Sequence, residues 1–335
     1  MLPVAVALLP VLFFLLLLVF FDSFKLVPPA TLTRALVAGA AVAVAASLLH
    51  AWLFRITSLD TEHFSRYIAP VTEETLKALV LIYPLRKRQI AFLVDAAIIG
   101  FAVGAGFAVV ENVEYLRTLP DATMWVWIAR GFGSAILHAT TTAIIAIAAK
   151  SLLDRRPALG LWAIVPGGIA AIVLHGAFNR ALVSPVLAAA VLMIGLPMIV
   201  IVLFARSERA TREWVSDGLD LDVELLRLVQ SREFASTRLG RYLNELRARF
   251  PGPVVADMFC LMQLDLELAI RAKGMLLARE AGLEVAVDDT LRAQLAERTY
   301  LEEAIGQTAL LALRPLHVTD DRDDWHQYLL EAAGR

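Results

Sequence analysis

Apolar residues dominate positions 1 to 205 in runs long enough to cross a bilayer, and from Ser207 onward they thin out and recur at helical spacing. A hydrocarbon core of ~30 Å takes about 20 helical residues to span. The first region supplies seven such runs, at about 2–21, 30–54, 67–85, 90–116, 124–149, 159–182 and 186–205. In the tail, Leu221, Leu225 and Leu228, then Phe234, Leu239, Leu243 and Leu246, follow one helical face. Pro251-Gly252-Pro253 breaks that pattern, a second stripe runs through Val254, Met258, Leu261, Leu264 and Leu268, and another amphipathic run covers 291–313. The pattern predicts an all-α polytopic membrane protein. About seven transmembrane helices occupy residues 1–205, and a C-terminal cytoplasmic helical domain occupies residues 206–335.

Composition agrees, with 59% hydrophobic residues. Only 10 of the 33 acidic residues precede Arg206, so the formal net charge of −2 averages an apolar region and a mildly acidic, water-soluble tail. Neither region holds a dense basic stripe, which argues against nucleic acid as a partner. Cys260 is the single cysteine, cannot form an internal disulfide, and reads as a small core residue or a spare thiol. The first run has no positive leader and no small-residue cleavage site, so it reads as a retained helix. Under seven spans, Lys25, Arg86-Lys87-Arg88, Lys150 with Arg155-Arg156, and Arg206 with Arg209 and Arg212 all fall on one side. The positive-inside rule makes that side cytoplasmic, with the N-terminus outside a bacterial-type inner membrane and the tail inside. Trp125 and Trp127 then sit at the outer interface, while Arg55, Arg66 and Arg117 run against the rule.

Charges inside the apolar runs carry the chemistry. Glu73, Glu74 and Lys77 share little more than one turn, and each charge at mid-membrane costs roughly 2.5–3.5 kcal/mol on insertion scales. In the predicted topology Glu73 and Glu74 lie roughly 10 Å below the outer end of their span, and Glu111 and His175 roughly 7 Å below the ends of theirs. His138 lies about 12 Å below Arg130. Equal depth on antiparallel helices calls for a common cavity.

Spacing refines the picture. Phe107 and Glu111 are i, i+4 and share a face, with Asn112 and Tyr115 following; His175 and Asn179, also i, i+4, offer two donors to one oxyanion. Glu73 and Lys77 form a third such pair, which leaves Glu74 about 100° round the helix. Two adjacent carboxylates at low dielectric cannot both ionise cheaply, so one is a candidate general base or acid. Singly, these groups read as a helix-end charge pair, an interfacial carboxylate beside Arg117, and interhelical hydrogen bonds; jointly they do not. Asp95, His50 and Arg34 read as structural, and Gly100, Gly104 and Gly106 as small residues that permit close helix packing. In the tail, Asp288-Asp289 suits a helix start and Asp320-Asp321 with Asp323-Asp324 a solvated turn.

The motifs EETLK (Glu73 to Lys77), FAVVEN (Phe107 to Asn112), His138 and HGAFN (His175 to Asn179) together resemble the PrsW intramembrane proteases, within the wider superfamily of CAAX prenyl endopeptidases. The resemblance covers roughly residues 60 to 182. It implies that Glu73 activates water with Glu74 in support, and that His175 and Asn179 stabilise the oxyanion. The endopeptidase branch ends its FxxxH motif in histidine, where this chain has Glu111, so Glu111 and His138 both stand as the second water-activating group. Lys77, Phe107 and Asn112 are supporting residues.

Members of the family are often labelled metalloproteases, and zinc held by some of Glu74, Glu111, His138 and His175 is the alternative to the favoured metal-free, glutamate-dependent mechanism. The HExxH signature is absent. The resemblance implies a single-pass membrane-protein substrate of the anti-sigma-factor type, cut near the extracytoplasmic side. Lipid is the other implied contact, and the tail is expected to bind a cytoplasmic partner or to self-associate. Two rival functions use the same residues: a proton- or solute-coupled transporter, which needs a path to both faces, and a non-catalytic membrane scaffold, which binds without cleaving.

Overall fold

The computed structural model describes residues 1–22, 25–57, 59–87, 89–180, 185–283 and 288–313, with only part of the side chains along 185–214. Among these, every regular element is helical. Helices α1 (Leu2–Phe21) and α2 (Pro29–Ile56) are followed by the short α3 (Thr61–His63), which runs through a π-helical turn, Phe64–Ile68, into α4 (Ala69–Arg86). Next come α5 (Leu93–Thr118) and the short α6 (Met124–Ile128), joined by a second π-helical turn, Ala129–Ser134, to α7 (Ala135–Arg155). A 3-10 turn, Pro157–Ala163, leads into α8 (Ile164–Asn179); then follow α9 (Pro185–Gln230), α10 (Arg238–Leu246), α11 (Gly252–Glu280) and α12 (Asp289–Leu313). The chain divides into two compact units, Met1–Glu208 and Arg209–Arg335.

Five stretches are long and apolar enough to cross a membrane: Leu2–Phe21, Pro29–Ile56, Leu93–Thr118, Met124–Arg155 and Pro157–Asn179. The chain is therefore a multi-pass helical membrane protein. Five spans rather than seven meet both tests, for identifiable reasons. Helix α4 has 18 residues but carries Glu73, Glu74, Lys77 and Arg86, too many charges for its length, and most side chains of 186–205 lie outside the described residues.

Helix α5 is the axis of the first unit. Of its most apolar 18 residues 83% are buried, against 28% for α1, and it packs on α1, α2 and α7, while α4 packs on α2, α7 and α8. Small residues make these contacts close. A Cβ on Gly104 would lie 2.3 Å from the His138 carbonyl oxygen, and one on Gly106 2.0 Å from that of Leu36, so α5 touches α7 and α2 backbone to backbone. That approach sets Phe107 and Glu111 against His138. Outward-facing apolar residues such as Phe13, Leu48 and Val173 form the lipid-compatible surface.

The ends of these helices are satisfied locally. The Asp95 carboxylate accepts from the Ala91 and Phe92 N–H groups (3.0 and 2.9 Å), which commits it to starting α5. The Asp60 carboxylate accepts from the His63 N–H (2.7 Å) and starts α3.

In the second unit Phe234, Leu243, Leu246, Met258, Leu261, Leu264, Leu268, Leu291 and Leu301 are buried. The Pro251-Gly252-Pro253 break falls where α10 gives way to α11. Leu221, in contrast, is exposed. The Asp288 carboxylate accepts from the Leu291 N–H (2.8 Å) and caps α12. Cys260 is exposed, so it is a spare thiol and not a core residue. The Asp320-Asp321 and Asp323-Asp324 pairs lie outside the described residues.

Candidate active site

Four helices of the first unit deliver polar side chains to one buried cluster. Helix α4 contributes Glu73, Glu74 and Lys77, α5 contributes Glu111 and Asn112, α7 contributes His138 and α8 contributes His175. Glu74 and Lys77 are fully buried, and His138 and His175 nearly so. At the centre, Lys77 Nζ donates to Glu74 Oε1 (2.6 Å) and to His138 Nδ1 (3.1 Å). The ring of Phe107 lies 4.8 Å from that ammonium and 4.9 Å from the His138 ring, an apolar wall that also makes a cation–π contact. Lysine thus pairs with Glu74 at i, i+3 and not with Glu73 at i, i+4 as its spacing suggested.

Hydrogen bonds fix both imidazoles. His138 Nδ1 faces a group that only donates, so it accepts, and its Nε2 lies 3.1 Å from Glu111 Oε2, close enough for an ion pair. His175 Nδ1 donates to Glu74 Oε1 (2.8 Å), which leaves the Nε2 lone pair turned towards Glu73 Oε2 at 4.0 Å. The two rings meet edge to face, 4.7 Å between centroids.

Glu111 is paired from the other side, with Arg130 Nη2 2.8 Å from its Oε2. Arg130 comes from the π-helical turn before α7. It donates through Nε to Asn112 Oδ1 (2.8 Å) and lies over the Tyr115 ring, 3.4 Å from its centroid. Asn112 in turn donates to the Ala7 carbonyl (2.7 Å), tying α1 to this wall. Asn112 therefore supports the cluster from behind. Asn179 stands apart: its amide is exposed and donates to the Ser65 carbonyl (3.0 Å), which ties the end of α8 to the π-helical turn before α4.

The charges do not balance. Three carboxylates, Glu73, Glu74 and Glu111, face two permanent cations, Lys77 and Arg130, and each cation is bound to a carboxylate other than Glu73. Among the described residues no lysine or arginine lies within ion-pair distance of Glu73, and its buried Oε2 has no hydrogen-bond partner. Three imidazoles surround it instead, at 4.0 Å each: His138 and His175 beside Oε2, and His50 of α2 beside Oε1.

His50 belongs to the site although its residue type and span alone suggest a structural role. It lies a turn and a half below the end of α2 at Ile56, roughly 9 Å. That is the depth shared by Glu73, Glu111 and His175, and it is the signal by which His50 can be found.

An uncompensated buried carboxylate among histidines, inside a polytopic helical membrane protein, is an arrangement that a membrane-embedded hydrolase can use. The particular family follows from comparison: the profile described as PrsW family intramembrane metalloprotease matches residues 27–205, more than half the chain, and the chain belongs to that family. It is a membrane peptidase. Neither the curated proteins nor the solved structures give a match to the chain.

The family description raises the question of a metal. Glu73, His138 and His175 each offer one ligand atom, all within 4.8 Å of one another, and two imidazoles with one carboxylate are a donor set that catalytic zinc accepts. As placed, the three groups stand wider apart than a bound ion would hold them. Ligands held at 2.0–2.2 Å around one tetrahedral zinc sit roughly 3.3–3.6 Å apart, whereas Glu73 Oε2 is 4.0 Å from each imidazole nitrogen. His138 Nδ1 is engaged by the Lys77 ammonium (3.1 Å), which leaves its Nε2, 3.1 Å from Glu111 Oε2, as the nitrogen open to a metal. A dication there would also meet the buried ammonium. Glu74 and Glu111 are already bound to Lys77 and Arg130.

Proposed function

We propose that this protein is an intramembrane endopeptidase in which Glu73 is the general base for attack of water on a peptide carbonyl. The observation that carries this reading is the isolation of Glu73, a buried carboxylate with no cationic partner and an imidazole lone pair facing its Oε2. A carboxylate that no cation holds is free to take a proton from water. Glu73 takes a proton from water as the water oxygen bonds to the carbonyl carbon and the carbonyl π pair moves onto oxygen. The tetrahedral species then expels the amine. That nitrogen receives the proton Glu73 had taken, and acid and amine leave with atoms balanced. His175, oriented by Glu74, lies within one step of Glu73 for passing that proton on. Lys77 and Arg130 hold the surrounding carboxylates in place.

The oxyanion role that spacing assigned to His175 and Asn179 meets competition. The His175 Nδ1–H is spent on Glu74 and the Asn179 amide on Ser65. Asn179 can serve an oxyanion only by leaving that carbonyl. A transmembrane proton path finds less support, because Asp95, the acidic group at the other end of α5, is engaged as its cap.

The substrate this reading favours is a single-pass membrane protein, of the anti-sigma-factor type, cut near the extracytoplasmic boundary of an inner membrane. The second unit, with an amphipathic helical core, serves a cytoplasmic partner or self-association. Purified protein incubated with single-pass membrane proteins, with cleavage mapped by mass spectrometry, tests the activity. Loss of turnover on exhaustive chelation, restored by stoichiometric zinc, would overturn the metal-free step; full activity in the chelated, zinc-depleted protein is expected.

Seven spans with the N-terminus outside complete the reading. In a Cys260→Ser background, single cysteines at Asp60 and Asp121 are expected to react with an impermeant thiol reagent in intact cells, and those at Gln89 and Asp154 to be protected. Labelling at Gln89 would reverse the orientation and turn the site towards the cytoplasm.

A further inference from the structure

His50 lies outside the motifs that define the family resemblance, and it touches the one face of Glu73 that the rest of the cluster leaves free. Its position is over-determined. The ring packs edge to face on Phe64 (5.1 Å between centroids), which is itself stacked on Phe54 (4.0 Å). His50 Nε2 is 2.7 Å from Thr72 Oγ1. The Thr72 hydroxyl has one hydrogen, and the carbonyls of Ile68 and Ala69, both 3.0 Å away, claim it. With that hydrogen on a carbonyl, the hydroxyl oxygen accepts from His50 and the Nε2 nitrogen carries the imidazole hydrogen. The Nδ1 lone pair is left aimed at Glu73 Oε1, 4.0 Å distant. Two acceptors at that separation repel unless a donor of two hydrogens joins them. A single water lies within about 2.8 Å of both atoms when the angle at its oxygen is about 90°.

Exposure points the same way. The side chain of His50 is 18% accessible and that of Glu73 9%, whereas Glu74 is closed off completely. Glu73 is therefore less enclosed than Glu74, and His50 beside it is more accessible still.

We propose that His50 is a further catalytic residue, whose Nδ1 holds the attacking water against Glu73 Oε1, and that Thr72 is the positioning residue that fixes its tautomer. The inference rests on the reading of Glu73 as general base. One water hydrogen is bonded to His50 and stays with the oxygen; the other passes to Glu73 as the oxygen attacks. The oxygen's remaining lone pair is thereby aimed away from both groups, towards the substrate carbonyl. His50 neither gains nor loses a proton in the step.

The test compares His50→Ala, His50→Gln, Thr72→Val and Thr72→Ser with Glu73→Gln in the full-length protein, using a substrate on which the parent has measured turnover. Misplacing a reacting group by an ångström costs about 10²-fold, so His50→Ala is expected to lose roughly 10–100-fold in kcat with KM changed less than about twofold. Added imidazole should return part of that loss. Thr72→Val should match His50→Ala, Thr72→Ser should recover most of the rate, and the double variant His50→Ala/Thr72→Val should lose no more than either alone. The tautomer is read without turnover, from the 15N resonances of His50 assigned by difference with His50→Gln. A bare Nδ1 is expected in the parent and a tautomer mixture in Thr72→Val.

A hydrogen on Nδ1 in the parent overturns the proposal. So does a His50→Ala protein that turns over at the parent rate while Glu73→Gln is inactive. Parental turnover in Glu73→Gln would instead remove the general base on which the proposal stands.

Discussion

Glu73→Gln is expected to fold, to bind substrate and to lose turnover by roughly 10²–10⁴-fold, the usual contribution of a general base. The change keeps the size and polarity of the side chain and removes its basicity. It also removes the one negative charge in the cluster that no cation balances, so the folded state has little to lose. The loss should fall on kcat and on kcat/KM alike, because the interaction removed exists only as the water is attacked. The decisive comparison is of single-turnover rates for parent and variant after both are shown to be folded in the same detergent. A folded Glu73→Gln protein that cleaves at the parent rate would remove Glu73 from the chemistry.

Lys77→Met is expected to act on folding first. Lys77 and Glu74 are both fully buried, 2.6 Å apart, and removing one partner of a buried pair costs about 3–5 kcal/mol because the other charge stays behind unpaired. His138 also loses its donor, so its ring is freed to turn. Methionine fills much of the volume against Phe107, which makes the lost charge the dominant effect. Unfolding in detergent should show a large drop for Lys77→Met, and Lys77→Met with Glu74→Gln should recover most of it, since no orphaned carboxylate remains. Parental stability in the single variant would mean that the pair is not an ionised one.

Much of the first unit was legible because a bilayer imposes length and depth. Runs of apolar residues located the helices, and equal depth picked out Glu73, Glu74, Glu111, His138 and His175, which the structure gathers in one place. Depth says nothing of rotation about a helix axis. On α4 both i, i+3 and i, i+4 partners were available to Lys77, and the identity of its partner depended on where His138 and His175 arrive from other helices. Asn179 shows the same blind spot: four residues from His175, it sits at the last turn of α8, where the Ser65 carbonyl is the nearer partner. His50 was passed over because a lone histidine in an otherwise apolar span has an adequate structural explanation. Its significance lies in Thr72, a residue whose role is visible only once its hydrogen is traced to Ile68 and Ala69. In the second unit the stripes are clear but Leu221 faces outward, since periodicity marks a face without saying what covers it.

The order in which the cluster's charges leave the ribosome bears on how the protein is made. Glu74 and Lys77 lie three residues apart on one helix, so they can neutralise each other as soon as α4 forms, before any other helix is in place. Glu111 must wait for Arg130, which arrives with the segment before α7. Glu74 gains its second partner only with His175, 101 residues downstream. Glu73 receives no cation at any stage. Helix α4 therefore enters the bilayer carrying one unneutralised acid, at a cost of about 2.5–3.5 kcal/mol if ionised at mid-membrane. The polar groups that face it, on α7 and α8, are made only later, so α4 carries that cost until the bundle closes round it.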